Sequence, residues 1–148
     1  MYELLDHTAD VKFRAESKSL GGCFDSAVEA FSEIVTEGES YGSTDQVTVE
    51  VESENLEALL FDFLDRLIYV QDVEGVVLTG GAETTVEQIE EEESDSPSGE
   101  RDIYTLTSEI EVTDIGGKPL LDLKGPTYND MKVENKNGGW IIVAVIDI

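Results

Sequence analysis

Several segments alternate between hydrophobic and polar residues, the pattern of strands that bury one face. These segments include residues 11–17 and 47–52, and residues 75–79, 85–89, 103–112 and 131–134 are also predicted to be strands. The Gly80-Gly81 pair predicts a bulge between two of them, and Asn137-Gly138 predicts a hairpin turn. Residues 120–123 are either a short strand or part of a loop, and residues 125–130 are predicted to be irregular because Pro126 disfavours a helix before it.

Two other segments have hydrophobic residues at helical spacing. The first follows Ser19 and ends at Glu37-Gly38, and the second follows Asn55 and runs to about Asp72. Serine and asparagine are common N-cap residues. The order strand, helix, strand, helix and then strands predicts an α+β fold, with two main amphipathic helices packed on a mixed, largely antiparallel β-sheet structure.

The last nine residues, 140–148, are apolar on both faces until Asp147, which predicts a central buried strand. Asp147 and the terminal carboxylate of Ile148 would then be two oxygen donors held next to each other, half of a hard-cation site. Asp10, at the entrance of the strand at residues 11–17, is the best candidate for a third donor. The alternative is that Asp10 only caps a turn or accepts a bond from a nearby amide.

The charge balance is strongly acidic, with 34 acidic against 9 basic residues and a net charge of −25. This composition argues against direct nucleic-acid binding, which needs clustered Lys and Arg. The acidic residues occur along the whole chain, which favours a surface adapted to a salt-rich cytoplasm over a docking face for a basic partner. We therefore expect folding to need molar salt, and cooperative folding in dilute buffer would contradict this.

Other features narrow the chemistry. The single cysteine, Cys23, and the single histidine, His7, exclude soft-metal sites, and Cys23 is expected to be a buried hydrophobic residue. No nucleophile or phosphate-loop motif occurs. No apolar run approaches the roughly 20 residues of a membrane span, and the N-terminus has no signal-peptide pattern, so we expect a cytoplasmic protein. We predict one domain over residues 1–148, with a flexible acidic loop around residues 90–101.

Five stretches of the sequence resemble the archease family, in the order in which that family has them. They are residues 2–11 (YELLDHTADV), Ser19-Leu20, residues 58–64 (ALLFDFL), Thr127-Tyr128 and Asp147-Ile148. The opening motif combined with the ending is the specific part of this resemblance, which extends over nearly the whole chain.

The resemblance implies a function. Archease is an accessory protein of the GTP-dependent RNA-splicing ligase that joins tRNA exon halves, and is not itself an enzyme. It promotes guanylylation of the ligase, allows multiple turnover and can broaden the nucleotide that is used. The strong acidity with few lysines suggests a version from a halophilic archaeon.

The resemblance also implies a metal site at Asp10, Asp147 and Ile148. Calcium is the expected ion, with magnesium or manganese as alternatives. His7 and Tyr128 are expected to support the site. The family usually has histidine after Thr-Tyr, where this chain has Asn129, so a role that needs an imidazole there is in question.

Two other classes of function remain open. A stand-alone divalent-metal-dependent phosphoester hydrolase would use Asp10 and Asp147 and would act without a ligase, but the chain has no basic cleft for its substrate. A chaperone-like binding module would bind clients without metal or ligase.

Overall fold

The structure is a computed structural model that describes residues 1–5, 10–91, 101–117 and 119–148. These residues form seven strands and two helices. In chain order they are β1 (Tyr2–Leu5), β2 (Asp10–Ser17), α1 (Leu20–Thr36), β3 (Asp45–Ser53), α2 (Leu56–Glu74), β4 (Val76–Glu91), β5 (Arg101–Asp114), β6 (Gly125–Lys136) and β7 (Gly139–Asp147).

The strands form two sheets, with the orders β1-β2-β7-β6 and β3-β5-β4. Every pairing between them is antiparallel. The α+β class is confirmed, and β7 is a central strand as its apolar sequence predicted. The strands form two separate sheets, which hydrophobic alternation alone does not predict because it is the same in one sheet or two.

The helices form the layer between the two sheets, since α1 contacts both β2 and β4 while α2 contacts both β3 and β6. Both predicted caps are present. Ser19 Oγ accepts a hydrogen bond from the Gly22 amide at 3.0 Å, and Asn55 Oδ1 accepts one from the Ala58 amide at 2.8 Å. These bonds satisfy amide groups that have no partner inside a helix, so they fix where each helix begins.

The core is densest where α1 lies on β4. A Cβ atom on Gly21 would lie only 2.4 Å from the carbonyl oxygen of Thr84, so this contact requires glycine. Phe24 of α1 meets Phe63 of α2 edge to face, with ring centroids 5.3 Å apart. Cys23 is fully buried, as expected from its place on the apolar side of α1.

The bulge predicted at Gly80-Gly81 is confirmed, because the β4–β5 register shifts between Leu78 and Ala82. The prediction of an irregular segment at residues 125–130 was wrong in part. These residues form the first part of β6. The strand pairs with β7 before and after an irregular stretch, because the register of β6 with β7 shifts between Thr127 and Lys132.

The sequence did not predict the short edge strand β1. Tyr2 Oη donates a hydrogen bond to the Glu33 carboxylate of α1, and this bond followed by burial raises the pKa of Tyr2 to about 12. Residues 120–123 form a loop. Most of the predicted acidic loop lies outside the described residues. These resume at Arg101, which is opposite Glu91 in the register of β4 with β5.

Neither helix in the described ranges is both long and apolar enough to cross a membrane.

Candidate functional site

Asp10 and Asp147 lie directly opposite each other in the antiparallel pairing of β2 with β7. Opposed residues of an antiparallel pair point to the same face of the sheet, with Cβ atoms about 4.5–5.5 Å apart. On the other side of β7, Gly125 of β6 is opposite Asp147. The two carboxylates predicted from the ends of the sequence are therefore immediate neighbours.

The pleat of β2 decides which face carries them. Phe13 and Ala15 are fully buried in the core with the helices. Successive side chains of a strand alternate between faces, so Asp10 and Lys12 point to the opposite face, away from the helices. A polar pair at this position does not disturb the core.

The two aspartates line a depression of about 430 Å³ at the ends of three strands. Lys124, Thr127 and Asn129 line it as well. The Lys124 amide donates to the main-chain oxygen of Asp147 at 2.8 Å, and the Asn129 amide donates to Thr127 Oγ1 at 3.1 Å. The first bond ties the segment before β6 to the end of β7, and the second is a local bond at the start of the irregular part of β6.

The donor chemistry fits a hard divalent cation. Among the described residues, no three His, Cys, Asp or Glu side chains come together as a metal cluster. A cation here would therefore need oxygen ligands in addition to the side chains of Asp10 and Asp147. Ile148, the third residue predicted at this site, is next in the chain and is 41% exposed. Carboxylate oxygens are preferred ligands of calcium and magnesium.

Of the two residues predicted to support this site, the structure describes Tyr128 alone. His7 lies outside the described residues. Tyr128 is not among the residues lining the depression, because its ring stacks on Phe61 of α2 with centroids 4.4 Å apart and an angle of 8°. Asn129, noted in the sequence only as a departure from the family pattern, lines the depression instead.

Sequence reasoning missed the basic residues of this region. Lys12 Nζ lies 3.7 Å from Asp130 Oδ2. Asp130 has a positive φ of 60°, an uncommon conformation for a residue other than glycine, in the irregular part of β6. The alternation of β2 could have revealed Lys12, since it lies two residues from Asp10 and therefore on the same face. Nothing local in the sequence brings Lys124 or Asp130 to this site.

The fold and site together define a class: an α+β protein with two helices between antiparallel sheets and a carboxylate pair where its second strand meets its terminal strand. A model of the Archease protein family (MTH1598/TM1083) matches residues 2–148. The chain therefore belongs to the archease family.

Similar proteins agree with this assignment. The chain is 33% identical over 147 residues to "Protein archease" of Methanosarcina mazei, covering 99% of this chain and 95% of that protein. It is 28% identical over 148 residues to "Protein archease" of Pyrococcus furiosus, with 99% and 98% covered. Each match extends over almost the full length of this chain and of the relative.

Two solved structures share the fold. The solution structure of protein 1598 of Methanobacterium thermoautotrophicum matches with a TM-score of 0.69 at 25% identity, covering 99% of this chain and 98% of that one. The crystal structure of an archease from Thermotoga maritima, described as a possible chaperone, matches with a TM-score of 0.57 at 17% identity. This match covers 100% of this chain and 98% of that one. The second likeness concerns the fold alone.

Proposed function

We propose that this protein activates the GTP-dependent tRNA-splicing RNA ligase. As an accessory protein and not an enzyme, it promotes guanylylation of the ligase, supports multiple turnover and broadens the nucleotide used. Membership of the archease family supports this function. The observation that carries the proposal for the site is the direct pairing of Asp10 with Asp147, which joins two distant ends of the sequence.

In this proposal Asp10, Asp147 and the terminal carboxylate of Ile148 hold one divalent cation, with calcium first and magnesium or manganese as alternatives. A bound cation would supply positive charge that neutralises phosphate oxygens. The chain's own residues do the rest. The β2–β7 pairing fixes the two carboxylates, and Lys124 adds a positive side chain to the same depression, suited to contact a phosphate.

The charge of the protein supports a protein partner more than an RNA partner. A net charge of −25 repels phosphates, so RNA would be bound by the ligase and the acidic protein would dock on the ligase. We propose a cytoplasmic location beside that ligase, in a salt-rich cell where the charge is screened.

The test is RNA ligation under single-turnover and multiple-turnover conditions, with the ligase in limiting amount. Asp10→Asn, Asp147→Asn and deletion of Ile148 should each abolish the stimulation of multiple turnover and of guanylylation. Asp45→Asn is the matched control, because it removes the same charge from an exposed residue of β3.

Full stimulation by the variants would contradict the metal site while leaving the accessory function intact. Hydrolysis of a phosphoester by the protein without ligase would contradict the accessory function itself. Prevention of client aggregation without metal or ligase, with no effect on guanylylation, would contradict it in favour of a chaperone-like module.

A further inference from the structure

The side of α2 turned away from the core carries large apolar groups. Tyr69 is 54% exposed and Val73 is 62% exposed. Tyr69 and Val73 are four residues apart and are therefore neighbours on the helix, and the partly buried Phe61 lies eight residues before Tyr69. From residue 61 to residue 73 the helix is about 18 Å long, at about 1.5 Å per residue. We call Phe61, Tyr69, Val73 and the stacked Tyr128 the α2 aromatic face.

Tyr128 extends this face from the neighbouring strand. The irregular part of β6 presents Thr127 and Asn129 to the aspartate depression, whereas the ring of Tyr128 lies parallel to that of Phe61. Phe61 covers one face of the tyrosine ring, and 56% of Tyr128 is still exposed. Exposed aromatic groups that lie together, as Tyr128 and Phe61 do, mark interaction surfaces more often than scattered single ones.

Carboxylates accompany both tyrosines. Ser53 Oγ donates to Asp62 Oδ2 at 2.6 Å, which fixes the orientation of that carboxylate. Burial first, and the charge of Asp62 second, raise the pKa of Tyr128. Asp62 and Asp65 also line a depression of about 310 Å³ that includes Tyr69. The same depression includes Glu50 and Glu52 of β3.

A guanidinium of the protein itself already lies on one of these tyrosines. The guanidinium carbon of Arg66 lies 5.3 Å from the centroid of the Tyr69 ring, within reach of a cation–π interaction. Tyr128 offers a similar combination, since its ring stacks on Phe61 and the next residue of α2 is Asp62. The planar guanidinium of arginine can stack on a ring and pair with a carboxylate at the same time. The ammonium of lysine does this less well.

We propose that the α2 aromatic face docks an arginine-bearing segment of a protein partner, with a guanidinium over Tyr128 and paired with Asp62. Charge complementarity selects this occupant. RNA would bring phosphates against the carboxylates of Asp62, Asp65 and their neighbours on β3, and a second copy of this chain would bring like charge. The surface uses none of the residues of the proposed metal site and does not depend on that site.

The probes are two synthetic peptides of equal length and charge, one with arginines and one with lysines in a Gly-Ser background. Each is titrated into the isotope-labelled full-length protein in the salt that keeps it folded. We expect amide shifts concentrated at Phe61, Tyr69 and Tyr128, and tighter binding of the arginine peptide.

Two substitutions test the contacts. Tyr128→Leu keeps an apolar group but removes the ring, and should weaken binding of the arginine peptide about two- to fivefold, the range of an exposed cation–π contact. Asp62→Asn should also weaken binding, whereas the matched control Asp45→Asn, with the same change of net charge, should not. Unchanged unfolding temperatures would establish that each variant is folded.

Other outcomes would overturn the proposal. They are shifts spread evenly over the acidic surface, equal affinity for the two peptides, or equal effects of Asp62→Asn and Asp45→Asn. Concentration-dependent self-association that is lost in Tyr128→Leu would assign the face to a second copy. Binding of an RNA oligonucleotide with shifts at Tyr128 would assign it to nucleic acid.

Discussion

The contact between α1 and β4 and the strand-end depression at Asp10 and Asp147 are built in opposite ways. At the first, the backbones approach so closely that Gly21 has no room for a Cβ atom, and the neighbouring side chains are fully buried. At the second, carboxylates face away from the helices around an open depression. We therefore expect substitutions at the contact between α1 and β4 to lower the stability of the fold. Substitutions at the depression should instead change cation binding.

Phe24→Ala should have the largest effect. Phe24 is fully buried and packs edge to face on Phe63, so truncation removes buried apolar surface and leaves a cavity between the helices. We expect the free energy of unfolding to fall by about 3–5 kcal/mol. Chemical denaturation at constant salt measures it, and a loss below about 1 kcal/mol would contradict the central role of this contact.

Gly21→Ala should destabilise the contact between α1 and β4 by overpacking. The new Cβ would be 2.4 Å from the Thr84 carbonyl oxygen, a backbone atom that cannot move without shifting β4. We expect a loss of about 1–3 kcal/mol, because helix propensity favours alanine but the clash outweighs it. Gly42→Ala is the matched control, since nothing lies within 4 Å of its added Cβ; equal losses would refute the close approach.

Asp25→Asn should stabilise the protein, because it removes a negative charge from a carboxylate whose Oδ1 is buried with no hydrogen-bond partner among the described residues. Burial raises the pKa of Asp25 above its usual 3.8, hydrogen bonds from Thr84 oppose the shift, and the charge of Glu83 adds to it. The folded protein therefore binds this proton more tightly than the unfolded chain does.

Stability attributable to Asp25 accordingly falls as the pH rises from the unfolded pKa through the folded one, and is constant above it. The Asn variant should be more stable than the parent at neutral pH, with the difference vanishing at low pH. Denaturation curves across the acidic range measure this. A difference that is independent of pH would show that ionisation of Asp25 is not the cause.

Asp10→Asn replaces one of the two opposed carboxylates, and its effect is measured first on the metal-free protein. It should abolish the stabilisation that calcium gives to the parent, about 2.7 kcal/mol at a calcium concentration 100 times the dissociation constant. Thermal unfolding with calcium and with a chelator measures both values. Equal calcium stabilisation of parent and variant would exclude Asp10 as a ligand.

Much of the local structure followed from the sequence. Ser19 and Asn55 predicted where the helices begin because a side-chain cap is a contact between residues three apart. The apolar run at residues 140–148 predicted a central strand because burial on both faces excludes polar residues. Gly80-Gly81 predicted the bulge in β4.

The candidate site was predicted in part. Asp10 and Asp147 were paired from their positions at strand ends and from family resemblance, and their direct opposition agrees with that pairing. Tyr128 was expected beside them, but its ring stacks on Phe61 instead. Neighbouring residues of a regular strand point to opposite faces, and no sequence pattern shows how an irregular segment directs each side chain.

The sequence by itself therefore determined the helices, most of the strands and the apolar character of β7, since these depend on periodicity and short-range contacts. The tertiary structure decided that there are two sheets with the helices between them, that Lys12 reaches Asp130, and that Asn129 and not Tyr128 lines the aspartate depression. Those features depend on strand register and on contacts between residues far apart in the chain, which hydrophobic patterns do not encode.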